Sequence, residues 1–344
     1  MSASSAIATP ADEQDRSPPA TAVPIAVRRV TGRADGPRLL VIAGVHGDEY
    51  EPMEAVRRLA ATLTTLAFRG SVTLVPVANP TAFASGSRTG SDGLDMARSF
   101  PGAADGSPTR QAAQAVTHEL EHADLLIDLH TGGRVLRVLP MTGYMLHPDP
   151  RILATQRRMA RSFGLPVIWG TSPALQGRSL SAARDLGVPA IYAEHGGGGG
   201  CDPRAVDDYV RGCLNVMQEL EMIAVGSHAD AGDDPARPAV SPLVVEDPRP
   251  GSGHLQASHP APAAGFFLPR VPLGAWVDAG DVVGTISDPL GERVHDVLAQ
   301  TAGLVLVMRA EPSVRVGDAL AVILERPDGG AEPRADASRG DGSR

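Results

Sequence analysis

His46 and Glu49 stand three residues apart in the segment VIAGVHGDEYEP, directly after a run of apolar residues. His130 ends a second such run, ADLLIDLH. Two imidazoles and one carboxylate form the donor set of a catalytic zinc site whose fourth position stays open to water, and both donor types suit zinc. The chemistry that follows from such a set is metal-assisted hydrolysis. A His-x-x-Glu pair by itself reads equally as a surface histidine beside a helix-start glutamate. The second strand-end histidine is what gives the combination its weight.

Other residues bear on that chemistry. Glu194 follows the apolar run VPAIYA and precedes His195 and five glycines. A carboxylate at a strand end can take a proton from water and pass it to a leaving nitrogen; the rival reading is a loop glutamate in a glycine run. Asp128 lies two residues before His130, so both point to the same side of a strand. It either orients a ligand from behind or serves as a structural acceptor. His118 and His122 form a second pair at helical spacing. Their segment, THELEHAD, lacks a glutamate next to the first histidine and is acidic, which fits a solvated helix end better than a ligand pair. Arg88 and Arg98 flank SDGLDMA, and guanidinium groups bind carboxylates in a bidentate manner.

The 344-residue chain allows one large domain and a smaller one. Its formal charge of −9 argues against a nucleic-acid partner. It contains no run of 18 apolar residues, so the sequence predicts no membrane span. Its start, MSASSAIATPADEQDR, does not read as a signal peptide. Two cysteines in a chain this long make no disulfide scaffold, which fits a reducing cytoplasm. Lysine is absent throughout. That removes Schiff-base, pyridoxal phosphate, Walker-lysine, lipoyl and biotinyl chemistry, and it leaves arginine as the only side chain with a fixed positive charge.

These residues need elements to bring them together. PRLLVIAGV, SVTLVPVANP, ADLLIDLH, PVIWG and VPAIYAEH read as strands. Helices are expected from Pro52 onward, from a cap at Thr109 to about His122, over RILATQRRMARSFG and over PRAVDDYVRGCLNVMQEL. The alternation predicts an α/β sheet with helices on both faces and ligands beyond the carboxyl ends of its strands, where His46, His130 and Glu194 fall. Residues 1–22 and 327–344 read as disordered, 23–225 as the catalytic domain and 226–258 as a linker. Residues 259–326 read as a small all-β domain with a pseudo-repeat, WVDAGDVVGTI and SVRVGDALAVI. It resembles barrel-sandwich carrier domains, yet without lysine it carries no prosthetic group and is assigned a structural or interaction role.

In the order of its motifs, the chain resembles the succinylglutamate desuccinylase/aspartoacylase family, within the zinc carboxypeptidase superfamily. The motifs are AGVHGDEYE, NPTAF followed by Arg88, DMARSFPG, DGSPT, DLHTGG and AEHGGGG, spread over most of residues 38–325. The resemblance implies a zinc-carboxypeptidase-like mixed sheet, with His46, Glu49 and His130 holding one Zn2+ per chain and Glu194 as general acid/base. Arg98, Arg88 and Arg184 would be substrate contacts. Where the family has DLNRxFPG this chain has Ala97 in place of asparagine, which removes one amide donor. A hydrogen bond to a charged group is worth about 1.5–3 kcal/mol, so Ala97 argues against acetylaspartate and succinylglutamate themselves. HGDEYE and the β domain look closer to the predicted-deacylase branch, which includes N-acetyl-diaminobutyrate deacetylases of ectoine breakdown.

The leading expectation is a zinc-dependent deacylase that cleaves the amide of a small N-acyl amino acid or similar compound. It would be cytoplasmic, with no nucleic-acid or membrane partner, and a homo-oligomer is left open. Two rivals stand beside it: a metallocarboxypeptidase acting on short peptides, and a non-catalytic binding protein derived from the family.

Overall fold

The computed structural model describes residues 24–226, 241–255 and 259–325. In chain order the first part comprises β1 (Arg28–Thr31), β2 (Arg38–Ile42), α1 (Tyr50–Thr62), β3 (Ser71–Val75), α2 (Pro80–Ser85), α3 (Pro108–Glu121), β4 (Leu125–His130), β5 (Leu136–Met145), α4 (Pro150–Phe163), β6 (Val167–Thr171), α5 (Ser179–Leu186), β7 (Ala190–Gly197) and α6 (Pro203–Glu219). Then follow β8 (Leu243–Glu246), β9 (Gly265–Pro269), β10 (Trp276–Val277), β11 (Val282–Ser287), β12 (Val294–Leu298), β13 (Gly303–Arg309), β14 (Ser313–Val314) and β15 (Ala321–Leu324). Local chemistry sets several boundaries. Proline opens α2, α3, α4 and α6, where its missing N–H costs nothing. Asn79, Asp149 and Asp202 cap α2, α4 and α6 through their side chains. Gly164 closes α4 in the left-handed conformation, as the sequence predicts.

The strands build a mixed sheet in the order β1–β3–β2–β4–β7–β5–β13–β10, with β6 and β8 extending from β5 and β15 pairing with β13. The central strands β3, β2, β4 and β7 run parallel. Alternate residues along each strand face opposite ways. Leu39 and Val41 of β2 and Ile127 of β4 pack with Val56 and Leu59 of α1, Phe163 of α4 and Tyr209 of α6. Leu40, Ile42 and Leu126 pack with Val116 and Leu120 of α3 and Ala183 of α5. Fully burying a leucine or isoleucine is worth about 1.5–3 kcal/mol. These two apolar layers, not the polar groups of the site, hold the sheet rigid. Helices therefore cover both faces, as expected.

Three features differ from the sequence reading. The 10-residue strand β5 was not among the expected strands; it is antiparallel to β7 over its length and joins β6 at its far half. The stretch read as a linker, 226–258, supplies β8, which pairs in parallel with β6. Leu243, Val244 and Val245 suit a strand, and Glu246 receives bonds from Tyr144 and Arg157. Thr109 does not cap α3: Ser107 occupies that position, and the Thr109 hydroxyl bonds Asp92. The terminal segments expected to be disordered lie outside the described residues.

The C-terminal part forms a four-stranded sheet, β12–β11–β9–β14, over its own apolar core around Phe267, Val283 and Leu320. The pseudo-repeat is structural: β10 turns into β11 and β14 into β15 through matching bonds, Asp278 N to Asp281 Oδ2 (2.9 Å) and Arg315 N to Asp318 Oδ2 (3.0 Å). This part is not detached, since β13 pairs antiparallel with β5 and so continues the main sheet.

Candidate active site

His46 and Glu49 lie in the loop between β2 and α1, and His130 is the last residue of β4, the strand next to β2. Glu49 sits at the N-cap position of α1 but makes no capping bond. Its carboxylate turns instead to the two imidazoles: His46 Nδ1 is 2.7 Å from Oε1 and His130 Nδ1 is 3.0 Å from Oε2. Gly47 permits this loop, because a Cβ there would sit 2.0 Å from the Ala82 backbone of α2. All three side chains are buried, and their donor atoms lie within 4.8 Å of one another.

The outward nitrogens have partners too. His46 Nε2 is 3.2 Å from Asp95 Oδ1, and His130 Nε2 is 3.0 Å from Asp128 Oδ1. The Nε2–H of His46 can donate to Asp95, which leaves its Nδ1 lone pair directed inward; Asp128 Oδ1 faces His130 as an ion-pair contact without a hydrogen bond. Asp128 also accepts from the Ser179 hydroxyl. Asp128 thus faces His130 with one oxygen and serves as an acceptor for Ser179 with the other. Burial alone would raise the Glu49 pKa, but His46 and His130 hold it well below the usual carboxylate range. Burial alone would lower His130, but Asp128 and Glu49 raise it well above its ordinary value. The cluster thus favours positive charge at its centre, and its donor set fits a divalent ion such as zinc.

Glu194 is in register with His130 on the adjacent strand β7. Burial pushes its carboxyl up to about 8, with Glu49 and Asp128 adding to the rise and His130 and Arg88 opposing it. Its Oε2 is buried without a hydrogen-bond partner, an arrangement that costs free energy unless a ligand or water meets it. The glycine run that follows keeps backbone close to the site. At Gly197, φ is 97° and a Cβ would lie 2.3 Å from the Leu136 carbonyl. His195 turns away, its Nδ1 3.3 Å from Asp208 of α6.

His46, Glu49, His130, Glu194, Arg88 and Arg98 line one cavity. Arg88 is tied to Asp95 Oδ2 through Nε (3.2 Å) and Nη2 (3.1 Å), and Nη1 approaches Glu49 Oε1 at 3.9 Å. Arg98 keeps solvent access and donates to the Ala97 carbonyl at 2.7 Å. Ala97 lines the cavity, so the amide missing from its side chain leaves open space there.

Arg184, by contrast, does not line this cavity. Its guanidinium is spent on the Pro173 and Leu175 carbonyls, Gln176 and Asp185, holding the loop before α5. Arg178 lines the cavity in its place, anchored to the Gly253 carbonyl at 3.1 Å. Its position beyond the carboxyl end of β6 was the available signal. Asp95 and Ser179 were likewise not singled out; neither residue type announces a role behind a histidine or a carboxylate. His118 and His122 lie exposed on α3, their rings 4.8 Å apart and away from the cavity residues.

The catalytic-domain model for succinylglutamate desuccinylase/aspartoacylase matches residues 35–220. N-alpha-acetyl-L-2,4-diaminobutyric acid deacetylase of Halomonas elongata is 30% identical over 86% of this chain and 84% of its own. The product-bound ectoine utilization protein EutE (DoeB) of Ruegeria pomeroyi superposes with a TM-score of 0.73 at 26% identity, covering 86% of this chain and 87% of that one. A succinylglutamate desuccinylase/aspartoacylase from Rhodobacter sphaeroides gives 0.73 at 27% identity, with 88% of each chain covered. By the match over residues 35–220 and the 30% identity to the Halomonas elongata deacetylase, the chain belongs to the succinylglutamate desuccinylase/aspartoacylase family.

Proposed function

We propose that this protein is a zinc-dependent deacylase that hydrolyses the amide bond of a small N-acylated amino acid or related amine. The convergence of His46, Glu49 and His130 beside the partnerless Oε2 of Glu194 carries the reading. The diaminobutyric acid deacetylase relative, matched over most of both chains, supports removal of an N-acyl group over cleavage between two amino acids. His46, Glu49 and His130 would hold one zinc ion. When bound, zinc supplies a Lewis acid for the carbonyl oxygen and lowers the pKa of an adjacent water.

The chain's own residues do the rest. Asp95 keeps the His46 imidazole in the ligating tautomer, and Asp128 faces His130 from behind. Glu194 accepts the proton of the attacking water and delivers it to the departing nitrogen, so that the amine leaves neutral. A dication nearby would draw down its raised pKa by favouring the carboxylate. Arg98 grips the substrate carboxylate, and Arg88 holds Asp95 in place while adding positive charge to the cavity wall. The two free thiols, Cys201 and Cys213, accord with a cytoplasmic setting. No helix among the described residues is long and apolar enough to cross a membrane.

The test is a parallel assay of N-acetyl amino acids and dipeptides with zinc-loaded protein. Hydrolysis of the N-acetyl compounds, abolished by chelation and restored by zinc, is expected. Preference for dipeptides would overturn the reading in favour of a carboxypeptidase.

A further inference from the structure

Two guanidinium groups that line the cavity, Arg98 and Arg178, have no ion-pair partner among the described residues. Arg98 donates to the Ala97 carbonyl. Arg178 donates to the Gly253 carbonyl and approaches His254 Nδ1 at 3.4 Å. Neither is bonded to a carboxylate among the described residues. They are built on one junction: Phe100 N donates to the Gly177 carbonyl at 3.1 Å, and a Cβ on Gly177 would sit 2.8 Å from the Arg98 carbonyl carbon. Burial, then the charge of Arg98, lowers the Arg178 pKa to about 10. Asp95 and Glu194 offset this only through space, so an anion bound directly to the half-buried Arg178 guanidinium would complete the pairing.

Part of the cavity lining is apolar. Leu136 and Val138 of β5, Tyr192 of β7 and Leu255 pack as one group and line the cavity. Leu255 comes from the segment that joins the two parts of the molecule, one residue beyond the His254 contact to Arg178. Of the cavity's carboxylates, Glu49 is engaged by His46 and His130 and Asp128 by Ser179, while Glu194 makes no ion pair with either arginine among the described residues. Asp95 behind them is taken by Arg88 and His46. A cationic substrate side chain would therefore meet two like charges and a hydrocarbon wall.

We propose that the amine part of the substrate is an α-amino acid whose single carboxylate is shared by Arg98 and Arg178, and whose side chain is uncharged and apolar, resting on Leu136, Val138, Tyr192 and Leu255. This rests on the deacylase reading above and separates the chain from its relative, whose named substrate ends in an amine. Guanidinium pairs suit a carboxylate, and each methylene buried on the wall favours apolar over polar side chains.

The experiment uses the full-length zinc-loaded protein with N-acetyl-L-leucine, N-acetyl-L-methionine, N-acetyl-L-2,4-diaminobutyrate and N-acetyl-L-aspartate. The free amino acids are run in parallel as ligands in thermal melts. The leucine and methionine compounds are expected to exceed the other two at least tenfold in kcat/KM, and leucine to raise Tm more than diaminobutyrate. Arg178→Gln should raise KM with little change in kcat, and Arg178→Lys should restore part of it, which a purely structural role would not produce. Leu255→Glu should narrow the gap between the leucine and diaminobutyrate compounds. Preference for diaminobutyrate or aspartate overturns the proposal. If no N-acetyl compound is cleaved yet leucine still protects selectively, the deacylase reading falls and the pocket assignment stands. Absence of both cleavage and selective protection removes the two together.

Discussion

In one region of the cavity, Glu49 is shared between His46 and His130, Asp95 and Asp128 stand behind them, and Arg88 closes the chain of pairs. In another, Arg98 and Arg178 make bonds to neutral groups. The difference separates two kinds of preorganisation. The first region fixes its own side chains before anything arrives, as ion ligation demands. The second leaves charge unspent, so that binding a carboxylate gains the interaction that folding did not make.

The comparison breaks most sharply at the paired region. Stripping the protein with chelator, or replacing His130 with alanine, should abolish activity and lower bound zinc from about one equivalent to none by elemental analysis. Normal turnover in either case would mean that the cluster is structural. Next in size, Glu194→Gln should retain zinc while kcat drops about 10²–10⁴-fold, the range typical of proton transfer. Asp128→Asn acts one step further out. It should weaken zinc affinity or activity about 10–100-fold, measured by competition with a coloured chelator.

A smaller effect lies outside the cavity and serves as its control. Glu246 accepts from Arg157 at 2.7 Å and from Tyr144 at 2.6 Å, and the Arg157 bond first of all lowers its pKa. A carboxyl with a lowered folded pKa stabilises above its unfolded value of about 4.3 and loses that contribution as pH falls through the folded pKa. Wild type should therefore melt above Glu246→Gln at pH 7, by roughly 0.2–1 kcal/mol for so exposed a pair, and the two curves should converge under acid. Zinc content and activity at neutral pH should not differ between them.

Much of this was legible because chemistry and periodicity coincided. His46, His130 and Glu194 each end an apolar run, and a parallel sheet brings such ends to one side, so their convergence on one cavity was legible in the sequence. Alternation of strands and helices gave the layered core for the same reason. What escaped was held by long-range pairing. Strand β5 contains Pro140 and Gly143 and owes its form to β7, β6 and β13. Strand β8 is only four residues in a Pro- and Gly-rich stretch. Among the arginines, charge and spacing could not separate Arg178 from Arg184. That choice is made by backbone carbonyls, two of which hold Arg184 outside the cavity while Gly253 holds Arg178 within it.

The pairing of β13 with β5 has a consequence for any attempt to dissect the molecule. Val307, Met308 and Arg309 zip onto Val138, Arg137 and Leu136, the same part of β5 that borders the cavity. A fragment ending before residue 259 would remove β13 from that border and bare a row of unmatched amide and carbonyl groups flanked by leucine and valine. Such a rim is a template for sticking to other chains. The shortened protein is expected to clump rather than survive as a smaller enzyme.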